Sequence, residues 1–409
     1  MKELHYGAYY WKLFDYGPVE WPRLSQSLST KVLIIGGGMS GLLAAYMLHE
    51  HQIDFVLVEA DEIADGSSLA STGLLQYSND TMLFQLRQKM SKESADYYYR
   101  CCFDAGKKVQ QIVANLQHEA GDLQYYTRSS MQYSSAAQDV NKLEQEYEAL
   151  SSIGLPCELW REAQIAEKFP FSKPCGLITH GDAEINPHML VLKLAQYLSK
   201  KGQQIFERSS VNHYKKLENG RYHAVVNEQY SIDADYIIHA VGYQYEQLQQ
   251  PQLQLTVKRS YVIVTDPVAD LSFWHQKMML WETARPYLYV RTTADSRIMI
   301  GGLDETTNHL NHDQGSISLH SQRLLKELKQ LFPDLDPQIA FQWNATFIET
   351  KDGLPYIGTD PQDPNLLYIL GYGGNGTISS VIGAQWAADY ISGIGIMQKL
   401  SSILSLSRS

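Results

Sequence analysis

Tyr287, Tyr289 and Arg291 stand two apart in the run YLYVRTT, whose composition predicts a strand. Side chains two apart on a strand share a face, so two rings and a guanidinium would project together. As a pocket wall, the rings could cradle an ammonium or amine group while Arg291 grips a carboxylate in a bidentate fork. As packing, the same face would lie on helices, with Arg291 in a structural ion pair. Tyr261 in YVIVTD and Tyr372 beside a glycine-rich turn are further candidates for such a pocket, and Phe347 ends another predicted strand. His188, just after a helix cap, and His239, inside an apolar strand, have the chemistry of bases, but those settings are typical of structural histidines. Lys351 and Asp352 form a KDG turn that reads as solvent-exposed, with Lys351 reaching the pocket only if the turn folds inward.

A stronger signal lies near the start of the chain. Residues 31–61 read KVLIIGGGMSGLLAAYMLHEHQIDFVLVEAD: a buried strand, a glycine turn, an apolar helix, a second buried strand and an acid, in that order. Gly36 permits the tight turn, Gly38 lets a pyrophosphate approach the backbone, and Gly41 lets the helix pack on the strand; Met39 and Ser40 belong to the turn, and the helix is expected over 42–50. A helix N-terminus offers free N–H groups and a positive dipole end to phosphate. Glu59, followed by Ala60, sits where a carboxylate accepts hydrogen bonds from an adenosine ribose. The competing reading is a glycine-rich turn in an unrelated αβ protein. The small-residue stretch 66–73, with Ser68, Ser71, Thr72 and Gly73 leading into Leu74, suits close contact with a second bulky part of the same ligand. GYGGNGT, carrying Gly373, Gly374, Asn375, Gly376 and Thr377, is a second glycine-rich turn feeding a helix, where the dipole could stabilise negative charge.

The elements that would position these groups follow from periodicity. Residues 92–117 predict an amphipathic helix through Ala95, Tyr98, Cys102, Ala105, Val109, Ile112 and Leu116. A strand over 124–133 and a helix over 139–151 come next, then a strand at 175–179, a helix capped by Asn186 with Pro187 at its first position, and a strand at 204–206 that leads to Val211. A strand at 235–240 ends in Ala240, Val241 and Gly242. Residues 258–303 change to alternating strands, as expected of an antiparallel sheet. A helix over 316–331, strands over 341–347 and 366–370, and a helix over 378–391 close the pattern, and 394–409 shows no evident chemistry. Residues 1–30, rich in Tyr, Trp and Pro, predict an extended arm on the folded body, with partial capping of a site as the alternative.

The totals narrow the class. A chain of 409 residues predicts two domains. Net charge −11 without clustered Lys or Arg argues against nucleic acid or an anionic membrane as partner. The four cysteines lack metal-ligand spacing and are too few for a secreted scaffold, which predicts reduced thiols, no metal and a cytoplasmic protein. Residues 32–48 carry no charge, but the glycine turn breaks them, so no membrane span or signal peptide is expected.

Taken together, GGGMSG with Glu59, SSLASTGLLQ, DAEINP, HAVGY, KDGLPYIG and GYGGNGT resemble the FAD-dependent oxidoreductases of the D-amino-acid oxidase group, which includes glycine oxidase, sarcosine oxidase and γ-glutamylputrescine oxidoreductase types. The resemblance spans residues 28 to 393 or so and rests on the order of the segments. It implies an α/β fold: a discontinuous Rossmann-type FAD-binding domain (1–85, 170–250, 340–395), an α+β substrate domain on an antiparallel sheet (86–169, 251–339), and a tail (396–409). It implies FAD, with Gly36, Gly38, Met39, Ser40 and Gly41 at the pyrophosphate, Glu59 at the ribose and Val211 at the adenine. Gly242 would lie near the adenosine half, Ser68, Ser71, Thr72 and Gly73 along the ribityl chain or ring, and the 373–377 turn at the flavin pyrimidine.

Two departures bear on substrate. Amino-acid oxidases of the group carry a carboxylate-binding arginine on the strand before DGLPYIG, where this chain has Phe347, so glycine or D-alanine would need Arg291 or Arg285 as a substitute. After Gly73 the chain reads Leu74, Leu75 and Gln76, without the basic pair of sarcosine-type oxidases, and no Cys or His is placed for an obvious covalent link, so FAD is expected to bind non-covalently. Both departures are closer to the γ-glutamylputrescine type. The expectation is hydride transfer from the carbon beside an amine to flavin N5, with oxygen or another acceptor completing the cycle. The alternatives are a glycine or D-amino-acid oxidase and a flavin-binding protein without turnover.

Overall fold

Two sheets, one mainly parallel and one mainly antiparallel, organise the chain in the computed structural model, which describes residues 4–14, 16–17, 20–244, 253, 255–306, 314–395 and 398–408. In the eight-stranded sheet Leu28–Ile35 lies centrally, parallel to Phe55–Val58 on one side and to Tyr230–His239 on the other. Gln204–Phe206 and Leu366–Leu370 extend it in parallel, and Tyr356–Thr359 adds an antiparallel edge. Val32, Leu33, Ile34, Phe55, Val56 and Leu57 are buried on both faces, which is why these strands read as unbroken apolar runs. Helices Met39–Glu50, Lys92–Ala120, Pro187–Lys200 and Gly376–Ser392 cover one face, and a Val211–Lys216, Tyr222–Val226 meander covers the other.

The second sheet has ten strands. Leu255–Thr265, Leu288–Thr292, Ile298–Thr306 and Ile339–Thr350 pair antiparallel, as their alternation predicts. One face packs on Gln314–Leu331 through Tyr261, Ile263, Leu288, Val290, Ile300 and their neighbours. The other, carrying Ser260, Val262, Tyr287 and Tyr289, turns toward the dinucleotide half.

Local signals explain the helix ends. Ser91 caps Lys92–Ala120 by accepting from the Ser94 amide at 3.2 Å, and Asn186 caps Pro187–Lys200 by accepting from Met189 at 2.9 Å, with Pro187 in the first turn. Cys101 and Cys102 are unpaired, and Cys102 is buried in the helix packing. Among the described residues no helix is long and apolar enough to cross a membrane.

The two ends of the chain do more than the sequence suggests. His5–Ala8 adds an edge strand to Ile339–Thr350, and Tyr10 and Trp11 are fully buried beside Trp343. The C-terminal segment, unremarkable in sequence, forms helix Gln398–Leu404 with Leu400 and Leu404 buried. Arg408 then forks onto Asp352 at 2.7 and 3.1 Å, so Asp352 is not the exposed turn residue expected of KDG, whereas Lys351 is exposed.

His239 and His188 take structural places. His239 stacks on Tyr368 with ring centroids 4.7 Å apart and meets the Tyr214 hydroxyl at 3.2 Å. Burial holds its imidazole down to about 3, and that of His188 down to about 4, from 6.5. Each contributes stability that is full above 6.5 and lost as pH falls toward the folded value, because the unfolded chain takes up the proton first. The pair should therefore cost about 2.7 kcal/mol of stability per pH unit below 6.5 until His188 begins to titrate. Denaturant melts from pH 8 to 5 should show that slope, and His239→Phe should remove about half of it.

Candidate active site

Between the sheets runs a cavity of about 650 Å³, within the range of small-molecule and cofactor sites. One end is formed by Glu59, Val211 and Gly242, the other by Tyr287, Tyr289 and Phe347. The first glycine turn enters its side. Gly36 adopts φ +114°, and a Cβ there would lie 2.4 Å from the Ala240 carbonyl oxygen. A Cβ on Gly41 would lie 1.9 Å from the Gly36 carbonyl oxygen, so helix and turn meet backbone to backbone. Glu59 spans the turn, accepting from the amides of Gly37 at 2.6 Å and Asp61 at 2.9 Å, and burial raises its carboxyl above the ordinary range. The Met39 amide donates to Ser68 Oγ at 3.0 Å, tying the start of the helix to the small-residue loop.

The second turn closes on the first. Ser40 Oγ donates to the Tyr372 hydroxyl at 2.7 Å, and that hydroxyl donates in turn to the Ile369 carbonyl. Asn375 Nδ2 donates to the Gln76 carbonyl at 2.8 Å, and Tyr243 donates to the Gly373 carbonyl at 3.1 Å. Two chain segments 332 residues apart in sequence are thus joined by a single hydrogen bond.

Most of the residues expected at the cofactor line this cavity: Gly36, Gly38, Met39, Ser40, Glu59 and Ala60 at the first turn; Ser68, Ser71, Thr72 and Leu74 on the loop; Val211, Ala240 and Gly242 near one end; and 373–377 at the second turn. Gly41 and Gly73 lie behind it instead. They are needed for close approach, a Cβ on Gly73 falling 2.1 Å from the Ile185 carbonyl oxygen. The Ser67 hydroxyl and Gln76 amide nitrogen, both buried on the loop, lack hydrogen-bond partners within the protein. Buried polar atoms need partners, and these two face where a ligand's polar atoms would lie. The length, the side-chain-poor approaches and the unsatisfied polar groups fit FAD.

Of the proposed substrate residues, Tyr287, Tyr289, Phe347 and Tyr372 line the cavity, and two candidates do not. Tyr261 sits on the opposite face of its strand, stacked on His320 at 3.7 Å with its hydroxyl 3.0 Å from Glu305. Its neighbours Ser260 and Val262 line the cavity, as strand alternation requires. Arg291 shares the face of Tyr287 and Tyr289 but passes beneath the small-residue loop. It donates to the Thr72 carbonyl at 2.7 Å and the Ile185 carbonyl at 3.3 Å, and lies 3.4 Å from Glu184 Oε2. Buried and fully engaged, it braces the loop, so packing decides the use of that residue. Arg285 also stays outside the lining, half-exposed 3.6 Å from Asp80 and over the Tyr287 ring.

Asp80, Asp304 and Trp281 line the cavity without having been expected there. His5, Tyr6, Tyr9 and Lys12 line the cavity, realising the capping alternative while Tyr10 and Trp11 fix the arm to the body. Trp281 was legible, since it pairs with Tyr289 across adjacent strands. Asp304 follows an irregular register between Leu255–Thr265 and Ile298–Thr306, which alternation does not anticipate.

Residues 31–390 match the family model described as FAD dependent oxidoreductase. Among curated proteins, the chain is 23% identical over 387 residues to YhfW of Bacillus subtilis (strain 168), whose name describes a candidate Rieske 2Fe-2S iron-sulfur protein, covering 93% of this chain and 72% of that one. It is also 23% identical over 389 residues to γ-glutamylputrescine oxidoreductase of Escherichia coli (strain K12), covering 92% and 87%. Among the described residues here no group of three His, Cys, Asp or Glu side chains could hold a metal ion. Glycine oxidase from Geobacillus kaustophilus shares the fold, with TM-score 0.78 at 17% identity over 94% of this chain and 100% of that one.

Proposed function

Because the chain belongs to the FAD-dependent oxidoreductase family, we propose that it oxidises a C–N bond of a small amine or N-substituted amino acid by hydride transfer to flavin N5, resembling γ-glutamylputrescine oxidoreductase in substrate more than a simple amino-acid oxidase. The observation that carries this reading is the make-up of the substrate wall. No described arginine lines the cavity, Phe347 stands on its sheet wall, and Arg291 is spent on backbone carbonyls and Glu184. An amino-acid carboxylate would find no guanidinium fork there.

In this reading the first glycine turn and Glu59 would hold the pyrophosphate and ribose, Val211 would meet the adenine, and the loop and second turn would hold the flavin end, without a covalent bond. Tyr287, Tyr289, Phe347 and Trp281 shape the substrate space and keep bulk water from it. Their task is to place the carbon beside the nitrogen and favour the neutral amine, whose lone pair forms the C=N bond as hydride leaves; water then hydrolyses the imine. His5 is the one histidine among the described lining residues, and its ring nitrogens contact the Tyr9 hydroxyl and the Asp65 carbonyl, each at 2.7 Å. No dedicated base is needed if the amine arrives neutral.

The test is anaerobic mixing of FAD-loaded protein with an amine panel, followed by visible absorbance. N-alkyl amines and γ-glutamyl diamines are expected to bleach the flavin, with glycine and D-alanine at least about 10- to 100-fold slower, the worth of a missing charged fork. Fast bleaching by glycine would overturn the substrate reading. Bleaching by none, with FAD bound, would mark a flavin-binding protein without turnover.

A further inference from the structure

The substrate end of the cavity carries two acids. Asp80 and Asp304 both line it, together with Trp281, Tyr287 and Tyr289. A Cβ on Gly374 would lie 3.0 Å from the Tyr287 hydroxyl and 3.2 Å from Asp80 Oδ2, so this acid and this ring sit together against the second glycine turn. Asp304 Oδ1 is buried without a hydrogen-bond partner. So is the hydroxyl oxygen of Ser260, a lining residue only 8% exposed. Asp80 is paired with Arg285, but no described cation lies within ion-pair distance of Asp304. Lys258 is matched by Glu349 at 2.6 Å, Arg285 meets Asp80 from outside the lining at 3.6 Å, and Lys12, the one lining lysine or arginine among the described residues, is held by Asp65 at 3.7 Å. Acids beside electron-rich ring faces make a receptor for an organic cation.

We infer that Asp80 and Asp304, with the rings of Trp281, Tyr287 and Tyr289, receive an ammonium group at the end of the substrate remote from the oxidised C–N bond, making the substrate a diamine or N-substituted diamine. The inference rests on the amine-oxidising reading and names the substrate class within it. Burial pushes the Asp304 carboxyl up to about 6, with Asp80 adding to the rise, and raises Asp80 against the pull of Arg285. Carboxyls desolvated in this way regain their charged form when a cation arrives. A chain with a charged amine at one end and a neutral amine at the other would be oriented by that contact, leaving the neutral nitrogen's carbon for oxidation.

The experiment compares FAD-loaded wild type with Asp304→Asn, using a linear diamine, an N-alkyl monoamine of equal length, and a non-oxidisable bis-quaternary ammonium alkane. The wild type should favour the diamine, and Asp304→Asn should lower the diamine-to-monoamine ratio of kcat/KM by about tenfold or more, mostly through KM. The bis-quaternary probe should perturb the flavin spectrum of the wild type, bind about tenfold more weakly to Asp304→Asn, and weaken as pH falls through 6. Flavin content and thermal melting check that the variant is folded, and Asp80→Asn supplies a second variant. Equal preference for the two amines, or a ratio unchanged in both variants, would overturn the inference while leaving amine oxidation standing. If no amine bleaches the flavin but the probe still binds through Asp304, the turnover reading fails and the cation site stands; if the probe does not bind either, the cation site fails as well.

Discussion

Gly41→Val should yield a protein that retains no FAD. The introduced Cβ would overlap the Gly36 carbonyl oxygen at 1.9 Å, and that oxygen belongs to the turn itself. The turn cannot retreat, because Gly36 already lies so close to Ala240 that a Cβ on it would be 2.4 Å from that carbonyl. Helix Met39–Glu50 must therefore tilt away, taking the Met39 amide and Ser40 with it and breaking the Ser40 to Tyr372 contact that joins the two glycine turns. Overpacking in a core costs about 1–3 kcal/mol, occasionally more, and here the strain falls on the cofactor cradle. Flavin released on denaturation, measured per chain, should fall from near stoichiometric to background. Gly41→Ala, with a smaller side chain but the same clash, should show the same loss in part.

Gly301→Val should keep FAD and lose catalysis. Gly301 pairs with Tyr289 on the neighbouring strand and lets the phenol lie across it; a Cβ would fall 2.3 Å from the Tyr289 hydroxyl oxygen and 2.4 Å from the carbon bearing it. Valine is well suited to a strand, so the sheet should form with Tyr289 driven into the substrate end of the cavity. Displacing a bound substrate by about 1 Å from its reacting geometry costs on the order of 100-fold in rate, and kcat/KM for the best amine should fall by at least that much. Flavin content should stay near wild type. Full activity would show that Tyr289 does not bound the substrate space.

The dinucleotide half was legible because each of its signals is local. Strand, turn, helix, strand and acid lie within residues 31–61, and the buried strands announce themselves as apolar runs. The family resemblance then gave order to distant segments, and residues 373–377 line the same cavity as Gly36, Gly38, Met39 and Ser40. The substrate end was legible only in part. Alternation correctly grouped Tyr287, Tyr289 and Arg291 on one face, but could not show that the small-residue loop overlies the far end of that face and claims the guanidinium. Tyr261 was misassigned because either face of a strand can carry a ring, and the facing helix Gln314–Leu331 decided which one was buried against it. Asp80 and Asp304 are more than 200 residues apart, by subtraction of their numbers, and only the closed fold brings both to one cavity. The arm's role depended on pairing with Ile339–Thr350, a contact with no local signature.

The central claim is that two separate glycine turns and the loop between the sheets hold a single FAD in the cavity. Equilibrium dialysis of the purified wild-type chain against FAD, with the bound nucleotide then released and identified, measures this directly. One FAD should be retained per chain, with no comparable retention of a nicotinamide dinucleotide. A chain that leaves dialysis colourless, with no FAD taken up, would contradict it.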